Sequence, residues 1–233
     1  MTDNIAQMLK RLLVAIVFSI AFGYIESAVV VYLRAIFHPN GFSFPMDVFA
    51  LTAQGRQLLL TEIGREAATL SLILTGAWLF GRNRQEHAAY FMLIFAIWDV
   101  FYYVFLKVLL DWPATLMDWD ILFLIPVAWA SPVLYPVLAS LVMFVFAVAI
   151  LYRSAQGRPL VVAGADWLAW SAAAGIVVIS FCLGGAHISQ ADYADYFHPL
   201  LLAVGYALGI AAFARSWLRR PTPEPARAFV ASR

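Results

Sequence analysis

Glu26 lies deep inside the apolar run LLVAIVFSIAFGYIESAVVVYLRAIF, residues 12–37, with Arg34 two turns further on. A charge facing lipid would cost on the order of 2.5–3.5 kcal/mol even on the lenient insertion scale, so Glu26 must face protein or a polar cavity. Asp99 stands the same way in the middle of AIWDVFYYVFLK, with Tyr103 and Lys107 continuing its face outward. Glu66, in TEIGREAATLSL, has Glu62 one turn above it on the same side. Buried carboxyls from separate helices are how helical bundles build metal sites, and carboxylates with imidazoles are natural ligands for zinc, iron or manganese. The first expectation is therefore a divalent metal ion held by Glu26, Glu66, Asp99, His187 and His198. Glu26 and Asp99 would be the catalytic pair of a membrane enzyme or redox protein. Arg34, Arg65, Tyr103 and Asp120 would bind its substrate.

Two other functions fit the same residues. Intramembrane carboxyls facing a cavity carry protons, which suits an ion- or proton-coupled transporter of a small solute. Alternatively, Glu26 with Arg34, Glu66 with Arg65 or Arg34, and Asp99 with Lys107 form internal ion pairs that fix helix register, as in a structural or accessory subunit of a membrane complex. No HExxH or Glu-x-x-His pair is present, and neither is GxSxG, a Walker loop or a dinucleotide-binding glycine pattern. His87, beside Glu86 and Arg84, reads as part of a solvated inner loop, and the single cysteine, Cys182, as an apolar filler.

The elements that must position these groups follow from composition. Of the 233 residues, 64% are hydrophobic and 12% charged, against about 25% charged in an ordinary soluble domain. The lipid bilayer is the solvent this implies, and a net charge of +1 offers no field for nucleic acid. Six apolar runs approach the roughly 20 residues needed to cross, near 12–37, 58–81, 88–110, 133–152, 160–184 and 198–218. The first is too long for the core of a cleavable signal peptide and reads as a retained span.

The expected fold is all-α: a polytopic integral membrane helical bundle of six transmembrane helices, with a short interfacial or re-entrant helix near 119–129. The bundle occupies 1–218, followed by a disordered cytoplasmic tail over 219–233 that carries three prolines. With the N-terminus inside, 11 of the 15 lysines and arginines fall on the inner side, so both termini are placed in the cytoplasm and the protein in the cell's inner membrane. Ten of the 14 acids, Asp47 among them, and three of the four histidines then lie at mid-membrane or outward. In the first span Ala15, Ser19, Gly23 and Ser27 form a small-residue ladder beside Glu26, which turns that carboxyl into the bundle. The composition is compatible with a homo-oligomer or a partner in a membrane complex.

Overall fold

The computed structural model describes residues 2–39, 41–46 and 53–219. Asp47 and the expected tail beyond Arg219 lie outside the described residues. The chain is helical: α1 (Thr2–Phe37), α2 (Ala53–Phe80), α3 (Arg84–Leu110), α4 (Leu134–Ala155), α5 (Gly164–Gly185) and α6 (Pro199–Leu218), with a short 3-10 turn at Tyr193–Tyr196. All of α1, α3, α4 and α5, and α6 with the turn before it, are long and apolar enough to cross a membrane. Large apolar side chains such as Leu13, Leu79 and Leu200 point outward, as in a multi-pass membrane protein. Helix α2 is 28 residues long, but Arg56, Glu62, Arg65 and Glu66 crowd its first half and keep it out of that apolar set.

Local chemistry sets several helix ends. Asn83 caps α3, its side chain accepting from the amides of Gln85 and Glu86, and Asp111 ends the helix with φ 52°. That left-handed conformation suits Asp better than most residues other than glycine. Pro199 occupies the first turn of α6 behind His198, where its missing N–H costs nothing.

The connection between α3 and α4 corrects the expected helix at 119–129. It forms a two-stranded antiparallel hairpin, β1 (Trp119–Phe123) and β2 (Trp129–Pro132), pairing Trp119 with Pro132, Asp120 with Ser131 and Ile121 with Ala130. The physical reason lies in the residues: Trp119, Ile121, Phe123 and Trp129 favour strand, and Pro126 and Pro132 disfavour helix. Pairing within the hairpin satisfies backbone groups that would otherwise be stranded near the bilayer. Its flanks are tied down as well, with Val133 N–H donating to the Asp118 carbonyl (2.9 Å) and Leu134 N–H to that of Leu116 (2.8 Å).

Helix α3 is the hub, packed against α1, α2 and α4, while α5 and α6 pair with each other and reach the rest largely through β2. Small residues permit both close approaches. Ala15, Ser19 and Ser27 are fully buried, and a Cβ on Gly23 would meet the Trp98 carbonyl oxygen at 3.0 Å. The small-residue ladder is thus the face α1 turns to α3. Ser27 Oγ bridges the pair, bonded to the Gly23 carbonyl at 2.7 Å and to the Tyr102 carbonyl at 3.1 Å. At the other seam, a Cβ on Gly184 or Gly185 would overlap the carbonyl oxygens of Ala130 and Ala128.

Gly185→Ala should therefore unseat the hairpin and cost about 1–3 kcal/mol, read as a lowered thermal midpoint in detergent. Gly175→Ala, whose new methyl meets nothing within 4 Å, should leave the midpoint unchanged or slightly raised. Equal behaviour of the two variants would contradict the close seating of β2 on α5.

Candidate functional site

Where α1, α2, α3, α4 and the hairpin meet, they enclose a cavity of about 180 Å³. The carboxyls of Glu26, Glu62, Glu66, Asp99 and Asp120 line it, together with the guanidiniums of Arg34 and Arg65. Aromatic rings, among them Phe95, Trp98, Tyr102, Phe123 and Trp129, make most of the remaining wall. His38, Phe42 and Met46 border it from the chain that follows α1.

The polar groups fall into two clusters and one isolated acid. In the first cluster Arg65 bridges two carboxylates: its Nε donates to Glu62 at 2.7 Å and its Nη1 to Glu26. Thr69 Oγ1 donates to the other Glu26 oxygen at 3.4 Å. Beside them, both Glu66 oxygens accept the backbone N–H of Leu124, at 2.8 and 3.1 Å. A carboxylate on α2 therefore holds the end of the β1 strand.

The second cluster is built around Arg34, 8% exposed. Its Nη2 donates to Asp120 Oδ1 at 3.2 Å, and the Tyr102 hydroxyl donates to Asp120 Oδ2 at the same distance. The guanidinium carbon lies 3.9 Å from the Phe42 ring centre and 3.8 Å from that of Trp112, so the cation sits in the corner formed by two rings set at 85° to each other. Burial and the Arg34 charge hold the nearby His38 imidazole below its usual range.

Asp99 stands apart. It is 9% exposed, and Ser140 Oγ on α4 donates to its Oδ2 at 2.8 Å. Neither Asp99 nor Glu66 forms an ion pair with any of the described residues.

Several sequence expectations are corrected. Arg34 pairs with Asp120 rather than Glu26 or Glu66, because it sits two turns outward of Glu26, at the level where the hairpin enters. Glu26 takes Arg65 from α2 instead. Lys107 pairs with Asp111 one turn along its own helix (2.7 Å) and leaves Asp99 without a cation.

The structure gathers Glu26, Glu66, Asp99, Arg34, Arg65, Tyr103 and Asp120 around one cavity, and leaves His187 and His198 out of its lining. The His187 ring stacks on Tyr196, centroids 3.6 Å apart, and His198 is exposed at the head of α6. Among the described residues no three His, Cys, Asp or Glu side chains converge closely enough to hold a metal ion.

Sequence reasoning missed Ser140, Thr69 and the cavity tryptophans Trp98 and Trp129 as site residues. A lone serine inside the apolar PVLYPVLASLVMF run was the signal available for Ser140. Comparisons of the chain with protein-family models, curated proteins and solved structures found no match.

Burial pushes Asp120 up to about 6, against the pull of Arg34 and the Tyr102 hydroxyl. Between about pH 4 and that value the folded chain keeps a proton that the unfolded chain has released, so this group makes stability fall as pH rises through the window. Asp120→Asn should flatten that slope in thermal melts taken across it. Arg34→Met at pH 7 should cost about 3 kcal/mol, because the Asp120 charge is left buried without its cation. A fully stable Arg34→Met protein would contradict the pairing.

Proposed function

We propose that the protein is a proton-linked carrier of small amphiphilic cations, which it takes up from the non-cytoplasmic face through this cavity. The observation that carries the proposal is a surplus of acid. Five carboxyls face two guanidiniums in one aromatic-walled space, and both Asp99 and Glu66 lack an ion-pair partner among the described residues. In a low-dielectric setting such a surplus is compensated by protons or by a bound cation. The faces of Trp98, Tyr102 and Trp129 offer a cation the further attraction of aromatic rings. Proton and solute then compete for the same carboxyls, and that competition is the coupling a carrier requires.

Direction and movement have their own support. The lysines and arginines concentrate on what the positive-inside rule makes cytoplasmic loops, so the Arg34 end of α1 faces outward and α2 crosses with the other five helices. The α5–α6 pair is joined to the α1–α4 group largely through β2. Phe181 of α5 nevertheless lines the cavity, so a shift of that pair would reshape the cavity wall.

Benzyltrimethylammonium is a suitable probe because its charge does not titrate. Its affinity, read by tryptophan fluorescence, should weaken by up to roughly tenfold per pH unit as protons reclaim the carboxyls. Asp99→Asn should lower the affinity at neutral pH by about tenfold or more and flatten its pH dependence without loss of fold. In proteoliposomes with an acidic lumen the parent should accumulate the cation and the variant should not. Absence of saturable binding, or identical binding by Asp99→Asn, would sink the proposal.

A further inference from the structure

We infer that the end of the bundle away from the cavity holds the phosphate of an anionic phospholipid, between the start of α1 and the turn that joins α2 to α3. Two contacts bring these segments together: Arg11 Nη1 donates to the Phe80 carbonyl and Arg82 Nη1 to the Gln7 side-chain oxygen, both at 3.4 Å. Lys10 and Arg11 follow Gln7 by three and four residues, so both lie one turn along α1 on the side that meets this turn. Arg84, exposed, opens α3 two residues beyond Arg82.

These four cations have one carboxylate beside them, Glu86, and Arg82 and Ser154 already answer it. Asp3 stands two turns before Lys10 on α1 and pairs with none of the described residues. Lys10, Arg11 and Arg84 likewise have no ion-pair partner among the described residues. Other cations at this end are spoken for: Arg215 and Arg219 by Asp166, and Arg153 by the Trp217 carbonyl. The uncompensated positive charge is therefore local to the α1 start and the α2–α3 turn.

Depth and the adjoining surface identify the occupant as a lipid. At 1.5 Å per residue Arg11 lies about 35 Å from Arg34 along α1, so the two stand at opposite faces of a hydrocarbon layer about 30 Å thick. Leu13, Val14 and Val17 continue the Lys10 stripe towards the membrane centre, and all three are exposed. On α2, Leu74 and Trp78 present a matching apolar stripe. Trp78 is 70% exposed and stacks on His87 with centroids 4.4 Å apart, as an interfacial tryptophan does at headgroup level. A soluble anion would leave these apolar stripes unused, whereas acyl chains cover them. A choline headgroup brings a cation of its own into the cluster, and a glycerol headgroup does not.

The inference stands apart from the cavity and its cargo, and lipid titration of the intact protein in detergent, read by native mass spectrometry, tests it. Dioleoylphosphatidylglycerol should bind at least about twentyfold more tightly than dioleoylphosphatidylcholine. Arg11→Gln and Arg84→Gln should each weaken the glycerol lipid about fivefold, the scale of one cation near a headgroup, and leave the choline lipid unchanged. Arg84 makes no side-chain contact that the fold needs, so its variant keeps the test open if Arg11→Gln fails to fold. Arg158→Gln, which removes an exposed cation from the α4–α5 connection at the same end, should change neither affinity. Equal binding of the two lipids by the parent, or an equal loss in Arg158→Gln, overturns the inference. Displacement of the lipid by millimolar glycerophosphoglycerol, its headgroup without acyl chains, overturns it as well and leaves a site for soluble anions.

Discussion

Charge inside an apolar bundle has to be compensated where it stands, since neither lipid nor bulk water will do it. Most of the site follows from that constraint. Arg65 is shared between Glu26 and Glu62, which joins α1 to α2 through a side-chain bridge. Arg34 and Asp120 join the outer end of α1 to the hairpin. Glu66 accepts the Leu124 amide and joins α2 to the same hairpin from the other side. Two of the three ties converge on the hairpin and the third joins the helices that carry them, so the cavity wall is set by electrostatics as much as by packing. Asp99 is the exception, with a hydroxyl in place of a cation.

The hairpin shows how irregular backbone can sit among membrane helices. Its strands pair with each other, a carboxylate takes one N–H beyond them, and two glycines of α5 let its carbonyls come close. Trp129 on β2 stacks with Phe181 of α5, and Phe123 on β1 packs with Phe95 and Trp98 of α3. The hairpin is thereby both a wall of the cavity and the connection between the two groups of helices.

On the opposite side of the bundle, ion pairs serve a different end. Asp166, fully buried at the start of α5, is met by Arg215 and Arg219 from the end of α6, and Arg153 lies over the Trp217 ring. Arg82 and Ser154 both donate to Glu86. These contacts clamp helix ends together and line no part of the cavity. Around the cavity, by contrast, five carboxyls share the lining with two guanidiniums.

Helices α1, α3, α4, α5 and α6 were legible in the sequence because each is a long apolar run, and the inward turn of Glu26 was legible because the ladder Ala15, Ser19, Gly23, Ser27 fixes which face packs. The depths of Glu26, Glu66 and Asp99 were likewise readable, since a fixed rise per residue places each carboxyl along its helix, whereas their meeting around one cavity was not. Which charge meets which was not. Arg34 finds Asp120 and Asp99 finds Ser140 across 86 and 41 residues of chain, and a one-dimensional pattern carries no information on how helices rotate against one another. The hairpin at 119–132 was hidden for the same reason, its apolar composition being shared by strand and helix alike. By itself the sequence determined which segments are long, apolar helices suited to a membrane and which residues cannot face lipid, because those properties are local sums along the chain. Only the tertiary structure decided the pairings and the isolation of Asp99, because these depend on the distances between elements that folding alone brings together.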